Sequence, residues 1–147
     1  MITHPGSAYG KMENAIKITG DILANLPKDS LSPETTKDKE GFIHPVAVSG
    51  GAERTEIRFI IRDFITAGLA EKENTLKGII EKALSSYKDS SYDFIVEESY
   101  RNMKEVLDTV PFVTEYAIEA IKRAGLKPVH KRVRGGTDGS RLSFMGL

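Results

Sequence analysis

The sequence predicts an α+β protein of ferredoxin-like type (βαββαβ): an antiparallel sheet of four strands with two helices on one face. Behind it comes a C-terminal helix–strand–turn segment of different character. Three observations predict this. Residues 55–65 alternate, with Ile57, Phe59, Ile61 and Ile65 on one side and Glu56, Arg58 and Arg62 on the other, the period of a strand with one buried face. Two longer stretches carry apolar residues at helical spacing. Their order is strand, helix, strand, strand, helix, strand, the split βαβ arrangement.

Taken in order, Met1-Ile2-Thr3 reads as a strand stump entering a Pro-Gly turn. A helix is expected over 10–26, with Met12, Ala15, Ile16, Thr19, Ile22, Leu23 and Leu26 on one face, and Pro27 ends it. Residues 28–40 are polar and read as a surface loop. Residues 42–48 form a strand in which Pro45 suits an edge or a bulge. A turn at 49–53 joins it to the strand 55–65. The second helix spans 69–87 on the stripe Leu76, Ile79, Ile80, Ala83, Leu84 and Tyr87, and a strand follows at 92–99 with Phe94, Ile95 and Val96. A third helix is expected with Thr109 as its cap, Pro111 in its first turn, Phe112, Val113, Tyr116, Ala117, Ala120, Ile121 and Ala124 as its stripe, and Gly125 as its stop. Residues 128–133 make a last strand, running into Arg134-Gly135-Gly136-Thr137-Asp138 and a short helix. These last elements do not complete a domain, so the expected division is 1–108 and 109–147, the second part a fragment of a larger α/β protein.

Composition narrows the function. Hydrophobic residues make up 39% and charged residues 29%, which supports a folded core. Lys plus Arg, 21, balance Asp plus Glu, 21, without the basic excess of a nucleic-acid binder. Cysteine is absent, which removes disulfides and thiolate metal sites. No apolar run approaches the roughly 18 residues of a membrane span, and the start lacks the basic and apolar regions of a secretion signal. A soluble cytoplasmic protein without nucleic-acid or membrane partners is the expectation.

Few residues carry chemistry by pattern. The glycines at 135 and 136 free the backbone beside Arg134, and a helix start just beyond adds positive character. That turn suits a carboxylate or phosphate, and equally serves as a tight strand-to-helix connection. Histidines 4, 44 and 130 stand in no metal-ligand spacing. Glu97 and Glu98 are neighbours on an expected strand, point to opposite faces, and read as surface charge plus an ordinary strand residue. No metal ligand set can be assembled from this chain.

Four segments together resemble a large family of zinc-dependent exopeptidases, specifically its tripeptide-cleaving aminopeptidases. They are Arg134 to Leu147, His4-Pro5-Gly6-Ser7-Ala8-Tyr9-Gly10-Lys11-Met12-Glu13-Asn14-Ala15, Glu40-Gly41-Phe42-Ile43-His44, and Ile60-Ile61-Arg62-Asp63-Phe64, with Ser99-Tyr100-Arg101-Asn102-Met103 a weaker fifth. The resemblance implies a lid, or dimerisation, domain over 1–108 and the start of the returning catalytic α/β domain over 109–147. It implies two zinc ions in the parent enzyme, held by residues outside this chain, with none expected in the chain itself. An isolated chain is then expected to be inactive. His4 would stabilise the oxyanion of the tetrahedral intermediate; otherwise it is a turn histidine. Arg62 would grip the substrate's terminal carboxylate; otherwise it snorkels to solvent or pairs with a neighbour. Asn102, Arg134, Gly136, Thr137 and Asp138 would contact the tripeptide substrate. Glu53-Arg54 stand where related exopeptidases carry an Asn, so no role passes to that turn. A homodimer through the lid is the expected partner, and a purely pairing module without catalytic role is the alternative.

Overall fold

The amphipathic stretches build two compact units, Met1–Ile95 and Val96–Leu147. The computed structural model describes residues 4–99, 101–131 and 134–146.

In the first unit, helix α1 (Ala15–Ala24) starts later than the apolar spacing predicts. Gly10 turns the chain at φ +67°, and the Asn14 side chain accepts from the Ile16 amide, so the helix starts at its cap and Met12 lies outside it. Strand β1 (Phe42–Gly50) pairs antiparallel with β2 (Thr55–Arg62). The register slips between Pro45 and Ala47, the bulge that Pro45 suggested. Helix α2 (Thr66–Leu84) begins three residues before the expected 69. The Asp63 carboxylate accepts from the Ile65 amide at 3.0 Å, which ends β2 early and turns Ile65, expected in the core, out to 65% exposure.

Both helices lie on one face of the hairpin. Ile18 and Ile22 of α1, Ile43 of β1, and Leu76, Ile80 and Ala83 of α2 form the buried core, with Ile57, Phe59 and Ile61 of β2 packed against it. Thr19, also buried, shares a 2.6 Å hydrogen bond with Thr55, which ties α1 to the sheet. Thus the unit is α+β, with a two-stranded antiparallel sheet among the described residues.

The other expected strands do not appear as ladders. Residues 92–99 join no sheet, although Tyr92 and Phe94 alternate onto the core as a strand would. In the ferredoxin-like order that strand pairs only with the first one, here Met1–Thr3, which lies outside the described residues. Of the expected strand at 128–133, residues 128–131 are not in a strand and Arg132 and Val133 lie outside the described residues.

The second unit holds α3 (Lys104–Leu107), α4 (Phe112–Arg123) and α5 (Asp138–Phe144). Thr109 does not cap α4, because its hydroxyl donates to the Val106 carbonyl and Pro111 takes the cap position. Gly125, at φ +76°, ends that helix as expected. The stripe of α4 includes Phe112 tilted against Tyr116 with ring centroids 5.7 Å apart, yet no residue of α4 is buried.

Candidate functional site

His4 precedes a short 3-10 turn, Pro5–Ser7, and is exposed. Its Nδ1 accepts from the Gly6 amide at 3.1 Å. With Nδ1 accepting, Nε2 is the ring nitrogen left to donate. The rest of that segment is structural. Asn14 caps α1, and Glu13 accepts from the Ser90 hydroxyl at 2.5 Å and from the Asp89 amide at 3.2 Å. These bonds hold the Glu13 carboxyl below its ordinary pKa, the Ser90 bond most strongly. They anchor the chain leaving α2 to the chain entering α1.

Arg62 is the last residue of β2, half-buried and paired across the hairpin with Phe42. Its Nη1 donates to the Ile61 carbonyl at 3.2 Å. Beside it, Asp63 accepts from Lys72 Nζ at 2.5 Å, with the two side chains 9% and 11% exposed. Burial pushes the Asp63 carboxyl up, but the bonds from Lys72 and from the Ile65 amide, with the charge of Lys72, outweigh it and leave it below the ordinary carboxylate value.

The remaining candidates belong to the second unit. Asn102 Oδ1 accepts from the Lys104 amide at 3.1 Å and so closes the turn into α3. Arg134 is half-buried, and Gly136, Thr137 and Asp138 are exposed in the turn that enters α5. Thr137 stands at the cap position, with its carbonyl accepting from the Ser140 amide at 2.9 Å. Asp138 adds a carboxylate to the first turn of a seven-residue helix. A negative charge there opposes a second anion, so this turn is a poor phosphate site and the tight-connection reading fits it better.

Four of the candidates, Arg134, Gly136, Thr137 and Asp138, therefore share one turn, and Asn102 sits at the start of α3, which packs against α5. His4 and Arg62 lie in the other unit on separate elements: the turn ahead of α1 and the end of β2. Among the described residues, no group of three or more His, Asp or Glu side chains could hold a metal ion. Glu98 lies in an exposed ion pair with Arg101 at 2.7 Å. No helix among the described residues is long and apolar enough to cross a membrane. Spacing could not reveal the Asp63–Lys72 pair, whose members sit on a turn and a helix; the one hint was a glycine, Gly68, in the first turn of that helix.

The model of the peptidase dimerisation domain matches residues 2–88, which include His4, Arg62, both strands and both long helices of the first unit. Curated proteins named Peptidase T are similar along nearly the whole chain. That of Vibrio parahaemolyticus is 39% identical over 144 residues, 98% of this chain and 35% of the relative. Those of Clostridium botulinum and Clostridium novyi are each 40% identical over the same shares. The chain spans about a third of the length of these relatives. With the matched region covering the whole helix-on-hairpin core, the chain belongs to the peptidase dimerisation domain family.

Proposed function

We propose that this chain is the substrate-gripping part of a tripeptide-cleaving aminopeptidase, one that releases the N-terminal residue of tripeptides. The observation that carries the reading is the similarity to proteins named Peptidase T, which runs through 98% of the chain and so includes every candidate residue. Residues 1–108 serve as the lid and 109–147 belong to a catalytic domain. The enzyme works in the cytoplasm, without nucleic-acid or membrane partners.

Two zinc ions are implied by the family resemblance, and the described residues supply no cluster to hold them. The roles proposed for His4, Arg62, Asn102 and the Arg134 turn are contacts with substrate. His4, with its proton on Nε2, donates to the oxygen that gains negative charge as the peptide carbonyl is attacked, a contribution of about 3 kcal/mol in a water-poor cleft. Arg62 offers a planar two-pronged donor to the terminal carboxylate. Asn102 and the turn at Arg134, Gly136, Thr137 and Asp138 contact the peptide. The chain by itself is inactive.

The test is His4→Ala in the full-length protein. Turnover of a tripeptide should fall by roughly a hundredfold or more, with KM changed far less; unchanged turnover removes His4 from the chemistry. A second reading is favoured by the matched family's description: a module that pairs two chains. Sedimentation decides it, since a chain that stays monomeric at high micromolar concentration has no pairing role.

A further inference from the structure

We infer that the buried pair Asp63–Lys72 is a positioning device for Arg62, fixing the end of β2 so that the guanidinium meets a substrate carboxylate in one register. The inference rests on the gripping role proposed for Arg62. A buried ion pair is a poor way to gain stability, because removing two charges from water offsets most of their attraction. Yet the fold is shaped around this one. A Cβ on Gly68, in the first turn of α2, would sit 2.8 Å from Asp63 Oδ1 and closer still to Oδ2. A Cβ on Gly41, just ahead of β1, would sit 2.6 Å from Lys72 Cε and would collide with the Arg62 carbonyl oxygen. Two glycines on different elements thus leave room for the pair and for the backbone of Arg62.

The carboxylate has two jobs. Oδ1 accepts from the Ile65 amide at 3.0 Å and sets the strand-to-helix turn, while Oδ2 reaches Lys72 on α2 at 2.5 Å. Arg62 is held on three sides: by Phe42 across the hairpin, by Gly41 against its carbonyl, and by Asp63 as the next residue. Arginine has a long, rotamer-rich side chain, so a two-pronged grip depends on a fixed origin, and small displacements weaken it steeply.

The experiment compares trialanine with its C-terminal amide as substrates of the full-length protein. The amide lacks the carboxylate, so the ratio of the two kcat/KM values reads the grip alone and does not move when a variant merely lowers the folded fraction. Arg62→Ala should abolish the preference for the free acid. Asp63→Asn and Lys72→Met should each shrink it roughly tenfold, with KM for trialanine changed more than kcat. An intact preference in both variants, beside its loss in Arg62→Ala, overturns the positioning role and leaves the grip standing. A preference that survives Arg62→Ala overturns both. Lys72→Met keeps the stem that Gly41 packs against and decides the matter if Asp63→Asn does not fold. If neither single variant folds, the doubly neutral Asp63→Asn/Lys72→Met protein carries the same test, since replacing both members of a buried pair is tolerated better than removing one.

Discussion

The two units spend similar sequence patterns differently. In the first, α1 and α2 lay apolar stripes on one face of a hairpin, and Leu76 ends up 2% exposed. In the second, α4 has an equally clear stripe, but Tyr116 is 70% exposed and nothing on the helix is buried. Amphipathic spacing says which face of a helix is apolar and does not say whether a partner covers it. A twelve-residue helix gains little from its own backbone bonds, so burial makes the difference between a rigid helix and one that frays.

The sharpest test of that contrast is truncation. Leu76→Ala should destabilise the first unit by about 3–4 kcal/mol, read as a shift in its denaturant midpoint, whereas Phe112→Ala on α4 should change stability by less than about 1 kcal/mol. Equal effects would mean the two helices are packed alike. Amide exchange offers the second test: amides in the middle of α2 should exchange at least about a hundredfold more slowly than those of α4. Similar protection in both would show that α4 is covered in solution.

Acid should act on the first unit through Asp63. Its carboxyl binds a proton less readily in the folded state than in the unfolded chain, so the unfolded state takes up the proton first. The stabilisation is complete above the ordinary carboxylate value of about 4 and is lost as pH falls through the folded value. Stability measured against pH should therefore drop on acidification, with a shallower slope in Asp63→Asn; an identical slope would show that the pair is not titrating. A smaller effect than at Leu76 belongs to the start of α1, where Asn14→Ala removes the cap and should shift the same denaturant midpoint by a loss of about 1 kcal/mol.

Much of the first unit was legible because its residues answer to each other locally. The alternation at Ile57, Phe59 and Ile61 and the stripes through Thr19, Ile22, Leu76 and Ile80 are one-dimensional patterns that the core closes over, whereas Ile18 joins the core from outside the expected stripe and Ile16, expected on it, is 55% exposed. Boundaries were less legible. The period of α1 runs back to Met12, but the Asn14 cap overrides it, and the Asp63 turn moves both the end of β2 and the start of α2. Of the site, the orientation of the His4 ring depends on one backbone amide two residues away, a contact that the His-Pro-Gly order permits without announcing. The Asp63–Lys72 pair was hidden for a different reason: its geometry comes from three elements meeting, which no window of sequence contains.

The slip in register at Pro45 has a further consequence. Among the described residues β1 has a neighbour on one side only, and Val46, at the slip, is 41% exposed. Pro45 provides no amide hydrogen, and the extra residue puts the backbone groups after Val46 out of step with those before it. A straight strand from another molecule cannot zip along the full length of such an edge. The β1 edge is thereby a poorer template for fibre-like stacking than a regular strand, and any strand that joins it must match its bend.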